Sequence, residues 1–262
     1  MFQRAFYFTT TIPVAGSYNL LTAIQATGQW DGVSPIIATI TCTGNQGATN
    51  TSTPAFDTGT LPVGSTLTLT INSGCGIYGA GGNGGYGGLL AQYTSTYLST
   101  AGSPGGPALN LQCPTVIINN GAIAGGGGGG GGGQGAGPMH WNGNSHNGEI
   151  SPGASGGGGA GFPAGFGGAC WRNQAGYLGK SGTLTTGGAG GVVVSQSGSG
   201  DIEEWWGAAA GGAGSGLGQS GITPPNNTNG NASPAGGAGG SAVIGSSNVT
   251  WQVYGSVLGS LS

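Results

Sequence analysis

The residues of this chain that are able to do chemistry lie mostly in short segments between glycine-rich runs. Thirteen of them form one candidate set, because they bring aromatic rings and charged groups together. The members of the set are Tyr93, Tyr97, His140, Trp141, Trp171, Arg172, Tyr177, Lys180, Asp201, Glu203, Glu204, Trp205 and Trp206. Tryptophan, tyrosine and arginine supply much of the binding energy at protein interfaces. The set therefore predicts a recognition surface, although some rings could instead cover the ends of a scaffold.

Two sharper kinds of site compete with recognition. His140, His146 and Glu149 could ligate a metal ion, but their spacing matches no standard metal site. Glu149 with Asp201, Glu203 or Glu204 could form the carboxylate pair of a glycosidase. Any set of loops that contains Asp and Glu would offer such a pair, however. We therefore predict no catalytic residue, no metal ion and no cofactor.

The composition also favours binding over catalysis. Only three Lys or Arg and six Asp or Glu occur among 262 residues, so charged residues make up 3% of the chain, against about 25% in an average soluble domain. A nucleic-acid partner requires clustered Lys and Arg to neutralise phosphates, and an acid–base site requires titratable groups. The charge content argues against both classes.

The apolar runs, the N-terminal residues and the cysteines indicate the cellular compartment of the protein. No apolar run approaches the roughly 18 residues of a membrane-spanning helix, and the start of the chain, Met1–Phe8, is a poor secretory signal. We therefore expect a chain that is not exported by the secretory route and does not insert into a membrane. The four cysteines, Cys42, Cys75, Cys113 and Cys170, are expected as small buried residues with thiols, and a Cys75–Cys113 disulfide stays an open alternative.

The elements that must position the candidate residues begin with a small β-rich unit. Asn19–Thr27 has a capping Asn, Leu20 and Ile24 four residues apart, and Gly28 as a stop, which predicts a short helix. Pro35–Cys42 and Leu67–Asn72 alternate apolar and polar residues, which predicts two strands. Short strand-like pieces such as Val116–Gly121 are expected to flank the glycine runs.

Beyond Gly79 the glycines follow a period of three. Ala80, Asn83, Tyr86 and Leu89 are the residues other than glycine in one run, and Gly125–Gly133 is an uninterrupted run of nine glycines. A period of three is that of a polyproline-II helix. Collagen has one glycine in three, whereas these runs have two in three, which leaves two bare faces for close neighbours. Flexible linkers are the alternative, but linkers have no reason to keep this period.

These patterns together predict a mostly β or irregular fold in three consecutive segments. Residues 1–75 form a β-rich attachment domain. Residues 76–245 form a layered bundle of polyglycine-II helices with receptor-binding loops at its ends, and residues 246–262 form a closing strand. If successive crossings of the bundle alternate in direction, the loops separate into two sets at opposite ends.

The pattern resembles a family of known proteins. Phe56–Leu67 running into GAGGNGGYGG, and the closing stretch Asn248–Trp251, are similar to sequences near the ends of phage fibre and receptor-recognition proteins. The chain from Thr53 onward resembles the tip adhesins of T-even-type tailed bacteriophages, whereas residues 1–50 do not match their attachment domain. This resemblance implies a polyglycine-II sandwich whose distal loops bind host outer-membrane proteins.

The resemblance also implies partners and a location. We expect a non-enzymatic protein of the virion's tail fibre or tail tip, synthesised in the host cytoplasm, that binds a host outer-membrane protein or surface polysaccharide. A phage tail-fibre or tail-tip protein is expected to hold it through the N-terminal domain. A glycine-rich structural protein or an ice-binding protein is the alternative, although Trp205 and Trp206 in the loops argue against a flat ice-binding face.

Overall fold

The computed structural model describes residues 4–12, 16–88, 98–135, 140–141, 144–145, 152–170, 177–193, 208–227 and 231–262. The chain divides into two compact units. Unit 1 comprises Met1–Ala80, Gly106–Gly126 and Gly240–Ser262, and unit 2 comprises Gly81–Gly105 and Gly127–Gly239. This division differs from the three consecutive segments predicted above, because two later parts of the chain return to the first unit.

The described residues form fifteen strands, one α-helix and one 3-10 helix. In chain order these are β1 (Phe6–Ile12), β2 (Tyr18–Asn19), α1 (Leu20–Ala26), β3 (Ile36–Cys42), β4 (Asn45–Gly47), β5 (Phe56–Asp57), β6 (Thr66–Ile71), β7 (Gly76–Tyr78), β8 (Leu109–Asn110), β9 (Thr115–Asn119), β10 (Ala122–Ala124), β11 (His140–Trp141), β12 (Asn144–Ser145), β13 (Val243–Ile244), the 3-10 helix Ser246–Asn248, β14 (Val249–Val253) and β15 (Ser256–Leu258). The fold is therefore mostly β or irregular, as predicted.

Unit 1 is built from three parallel sheets. Their strand orders are β1-β3-β6-β9-β14, β15-β10-β7-β4 and β13-β8-β5-β2. Successive strands visit the three sheets in turn: β3, β4 and β5 lie in different sheets, and β6, β7 and β8 repeat that order one coil further on. Unit 1 is therefore a three-sided parallel β-solenoid, in which each coil contacts the next.

The core of unit 1 consists of side chains stacked in register between coils. Ile40 pairs with Leu69, and Leu69 pairs with Ile117, and all three side chains are fully buried. Burying an aliphatic side chain of this size contributes about 1.5–3 kcal/mol. The predicted strands Pro35–Cys42 and Leu67–Asn72 are confirmed as β3 and β6, in which alternate residues are buried.

The helix predicted after Asn19 is confirmed as α1. The Oδ1 atom of Asn19 accepts a hydrogen bond from the backbone N–H of Thr22 at 2.9 Å, which satisfies one of the unpaired donors at the start of a helix. Leu20 and Ile24 are buried against the sheets. Gly28 adopts a φ of 65°, a left-handed conformation that suits the end of a helix.

The cysteines of unit 1 carry thiols. Cys75 and Cys113 are not bonded to each other, so the disulfide left open above does not form. Cys42 and Cys113 are buried, and burial raises the pKa of both thiols because it disfavours the thiolate. Within the part of the chain that the structure describes, no helix is long and apolar enough to cross a membrane.

The described part of unit 2 holds the short antiparallel pair of β11 and β12, and most of the rest lies outside regular helices and strands. Its segments are joined by backbone hydrogen bonds that repeat every three residues. Gly127 donates to Ala160, Gly130 to Gly157 and Gly133 to Ala154, at 2.7 to 2.8 Å. Two segments that run side by side therefore keep one register along their length.

Within unit 2, Gly127–Gly133 exchanges backbone hydrogen bonds with six other segments. Three successive residues donate to different neighbours: Gly130 to Gly157 (2.8 Å), Gly131 to Ile222 (3.1 Å) and Gly132 to Thr100 (3.0 Å). Three successive residues accept from three more: Gly127 from Gly82 (2.9 Å), Gly128 from Ser215 (3.0 Å) and Gly129 from Gly237 (2.8 Å). The run is thus enclosed by backbone on every side.

Close approach of backbone to backbone requires glycine here. A Cβ atom added to Gly130 would lie 2.0 Å from the carbonyl oxygen of Gly212 and 2.4 Å from its carbonyl carbon. Backbone atoms cannot yield as the tip of a flexible side chain can, so any larger residue would force the segments apart. Glycine therefore takes the packing role in unit 2 that Ile and Leu have in unit 1.

Candidate functional site

The described residues next to the predicted loops lie at one end of unit 2. Gly88 donates to the carbonyl of Gly133 at 2.9 Å, and Gly133 donates to that of Ala154 at 2.8 Å. The last residues of 81–88, the last of 127–135 and the first of 152–160 therefore lie together. The stretches 89–97 and 136–151, which hold Tyr93, Tyr97, His140 and Trp141, begin from this end.

Further hydrogen bonds place the other segments at the same end. The bonds are Gly132 N–H to Thr100 O (3.0 Å), Gly87 N–H to Ala169 O (3.1 Å), Ser155 N–H to Tyr177 O (2.9 Å), Gly191 N–H to Ser155 O (2.8 Å), Ala209 N–H to Gln134 O (2.9 Å) and Asn227 Nδ2 to Gly135 O (2.9 Å). The flanking residues of 89–97, 136–151, 171–176, 194–207 and 228–230 thus meet at one end.

The turns at the other end of unit 2 lack members of the candidate set. Gly161 donates to Thr183 at 3.1 Å, and Ala160 donates to Ser215 at 2.8 Å, which brings the turns 161–163, 183–186 and 216–218 together. The alternation of chain direction expected from the sequence therefore sorts the connections into two groups, and the stretches that hold the aromatic and charged residues fall into one.

A polar cluster around Gln134 ties the bases of three of these stretches. Gln134 follows the nine-glycine run and is 5% exposed. Its Oε1 accepts from Ser99 Oγ at 2.6 Å, and its carbonyl accepts from the N–H of Ala209. Its own N–H donates to Ser233 Oγ at 3.3 Å, and that hydroxyl donates to Pro225 O at 2.7 Å. One buried side chain and its backbone thus hold the starts of 98–105, 208–215 and 231–239.

The structure describes only part of the predicted recognition set. Nine members lie outside the described residues: Tyr93, Tyr97, Trp171, Arg172, Asp201, Glu203, Glu204, Trp205 and Trp206. The backbones of His140 and Trp141 form β11, which pairs with β12. Lys180 is exposed, and its backbone joins two neighbouring segments, donating to Ala189 and accepting from Gly158.

Tyr177 requires a correction. Its side chain is 2% exposed and packs against Ala154 and Cys170, with Leu178 and Val193 partly buried beside it. The chain turns inward at this residue, because its carbonyl accepts from Ser155 in the interior of unit 2. Tyr177 therefore supports the bases of the loops and offers no surface to a receptor.

Sequence reasoning missed Gln134, Ser99 and Ser233. The one available signal was that Gln134 is the first side chain after nine bare residues, where a polar group can satisfy several backbone groups at once. Among the described residues, no three His, Cys, Asp or Glu side chains group as a metal site. The side chains of His140, His146 and Glu149 lie outside that description.

Comparisons with known proteins point to one family. The family model described as "Phage tail fibre adhesin Gp38" matches residues 7–262. The chain is also similar to a chain in the crystal structure of the gp37-gp38 adhesin tip complex of the bacteriophage S16 long tail fiber, at 26% identity and a TM-score of 0.58. That match covers 97% of this chain and 81% of the other. The family resemblance drawn from the sequence is confirmed, and the match includes residues 7–50, which were predicted not to match: the chain belongs to the phage tail fibre adhesin Gp38 family.

Proposed function

We propose that this protein recognises a receptor on the host cell surface through the stretches that join the glycine segments of unit 2. The observation that carries the proposal is the meeting of their flanking residues at one end. Loops on a rigid body can vary in sequence without disturbing the packing beneath them. Because a tail fibre adhesin is part of the virion, we propose that this chain lies at the tip of the fibre.

We infer that the scaffold is a bundle of polyglycine-II helices. Hydrogen bonds that recur every three residues, and a central run with six neighbours, are what that helix would give. The bonds suggest three layers: 98–105, 81–88 and 163–169 in the first; 235–239, 127–135, 152–160 and 177–182 in the second; 219–224, 208–215 and 187–193 in the third. A rigid bundle of this kind would hold the loops without a conventional apolar core.

We propose twelve residues as receptor contacts. They are Tyr93, Tyr97, His140, Trp141, Trp171, Arg172, Lys180, Asp201, Glu203, Glu204, Trp205 and Trp206. The adjacent pair Trp205 and Trp206, which follows Glu203 and Glu204, combines large rings with charge and is the strongest candidate for a binding hot spot. The partner would be an outer-membrane protein or a surface polysaccharide, bound without catalysis.

We propose that unit 1 docks onto a phage tail-fibre protein. The last coil of the solenoid, formed by β14, β15 and the C-terminal residues, exposes Val253, Tyr254, Leu258 and Leu261. Terminal repeats of solenoids usually carry a polar outer face, because an apolar end would associate with other chains. An apolar last coil with open strand edges therefore suits a permanent partner.

The experiment that tests receptor binding is competition for adsorption. Purified protein is added to host cells before the phage that carries it, and free phage are counted over time. Occupied receptors would slow adsorption in proportion to the protein added. If the protein neither binds the cells nor slows adsorption, the proposed function is wrong.

A further inference from the structure

One outer surface of unit 2, which begins beside the bases of the loops, carries side chains that the proposed function does not use. The segments 98–105, 81–88 and 163–169 run side by side, with 81–88 in the middle. Ser103 donates to Asn83 O at 2.8 Å on one side, and Gly84 donates to Phe166 O at 2.9 Å on the other. These three segments contain no charged residue.

Two aromatic rings stand on this surface. Tyr86 is 60% exposed and Phe166 is 71% exposed. The residues around Tyr86 at 84, 85, 87 and 88 are all glycine, as are those around Phe166 at 165, 167 and 168. Because the floor beside the rings is bare backbone, no neighbouring side chain along the chain covers their faces. We call this surface the Tyr86–Phe166 face.

Polar groups with fixed orientation lie beside the rings. Asn83 is exposed, and its Oδ1 accepts from the backbone N–H of Phe166 at 2.9 Å, so its Nδ2 points the other way as a donor. Thr100 is exposed, and its Oγ1 accepts from the backbone N–H of Tyr86 at 2.8 Å, which leaves its hydroxyl proton to donate. Both side chains are therefore held ready by the scaffold.

The chemistry of this face fits a neutral sugar. A pyranose ring has one face of C–H groups, which pack on an aromatic ring, and hydroxyls around its rim, which accept from amide and hydroxyl donors. An ionic ligand would lose hydration on this face and find no countercharge. A rigid glycine backbone loses little further freedom on binding, which favours a shallow site for a small flat ligand.

We propose that the Tyr86–Phe166 face binds a neutral saccharide, as a second contact independent of the loops. Such a contact would hold the adhesin against neutral surface polysaccharide while the loops search for the receptor. Its affinity per site is expected in the millimolar range, because two rings and two donors bury little area. On a virion that carries more than one copy of the chain, simultaneous contacts would strengthen that weak binding.

The test uses the full chain and a panel of neutral oligosaccharides of glucose, galactose and mannose, read by saturation-transfer difference NMR. We expect at least one oligosaccharide of the panel to bind and to receive saturation from the rings of Tyr86 and Phe166. The double variant Tyr86→Ala, Phe166→Ala should weaken that binding at least about tenfold. The double variant Tyr86→Phe, Phe166→Tyr keeps a ring at both positions and should bind the saccharide as the wild-type chain does. Ile222→Ala, another exposed apolar residue of unit 2, is the matched control and should leave it unchanged.

Three results would overturn the proposal. One is no binding from any member of the panel, and another is binding that the double variant leaves intact. The third is self-association of the wild-type chain in sedimentation that Tyr86→Ala abolishes, since the face would then join two copies. Trp205→Ala with Trp206→Ala separates this contact from the proposed function: it should reduce adsorption to cells and leave saccharide binding intact.

Discussion

The Oε1 atom of Gln134 accepts a hydrogen bond from Oγ of Ser99 at 2.6 Å, across 35 positions of the chain. Gln134 follows the central glycine run, and Ser99 is the second residue of the segment 98–105, which follows the stretch 89–97. The same Oε1 also accepts from the backbone N–H of Ser99 at 3.3 Å. The pair fixes the residues that follow the stretch 89–97 to the end of the glycine run, and it therefore links the packing of unit 2 to the recognition proposed above.

Replacing Gln134 by Ala should loosen the loop bases. The change removes the acceptor of the Ser99 hydroxyl and N–H in a partly buried place, and an unsatisfied buried group costs about 1–3 kcal/mol, which is the upper range expected here. Urea unfolding should show a loss of free energy of that size, with weaker binding to host cells. Gln29→Ala, at an exposed glutamine of unit 1, is the control. Equal stability of both variants would remove the structural role of Gln134.

Glycine in the central run should be irreplaceable. Gly130→Ala places a methyl group 2.0 Å from Gly212 O, so we expect either no soluble protein or a loss above about 4 kcal/mol in thermal unfolding. Gly216→Ala is the matched control, because its nearest atom would be the Gln219 Oε1 at 3.4 Å, an ordinary contact. The control should change stability by no more than about 1 kcal/mol. Similar melting of the two variants would refute the close packing.

Charge on the last coil of unit 1 should prevent assembly with the fibre. Leu258 and Tyr254 are 44% and 52% exposed, so Leu258→Asp with Tyr254→Asp should leave the fold intact. Burying two carboxylates in an apolar interface without partners would be unfavourable. Co-purification with the C-terminal part of the phage's fibre protein should fall at least about tenfold. Val63→Asp, at an exposed valine of unit 1, is the control and should co-purify normally. If the double variant also co-purifies normally, the surface that docks onto the fibre lies elsewhere.

The thiols of unit 1 should differ in reactivity. Burial raises the pKa of Cys42 and Cys113, so each thiol stays protonated to a higher pH than an ordinary cysteine. The thiolate is the reactive species, and Cys75 is only half-buried. Iodoacetamide at pH 8, followed by peptide mass spectrometry, should label Cys75 first and label Cys42 and Cys113 only after unfolding. Equal labelling in the native protein would contradict the buried core.

Local signals predicted the elements that depend on local physics. Asn19 and Gly28 bound α1, and alternation defined β3 and β6, because capping and strand periodicity act over a few residues. The sequence did not predict β1, although Phe6 and Phe8 alternate, and it did not separate β7 or β10 from the glycine runs they precede. Strands of three residues carry too few side chains to show a period.

The sequence did not predict which strands pair when they lie far apart in the chain. β9 pairs with β14, and Thr115 lies opposite Val249, although much of unit 2 comes between them in the chain. No local pattern says that residues 106–126 and 240–262 complete the solenoid. At the candidate site, composition identified the aromatic and charged stretches. It did not predict the burial of Tyr177, because that burial depends on packing against Ala154, and the spacing of residues along the chain does not show this contact.

Receptor recognition by the loops is tested most directly at Trp205 and Trp206. Trp205→Ala with Trp206→Ala is measured for binding to susceptible host cells, beside Val192→Ala as a control at an exposed residue of unit 2. Both variants must first show the wild-type melting curve. Because truncating a hot-spot tryptophan costs about 2 kcal/mol or more, roughly a 30-fold loss of cell binding is expected for the double variant alone. Cell binding equal to that of the control would contradict recognition through these loops.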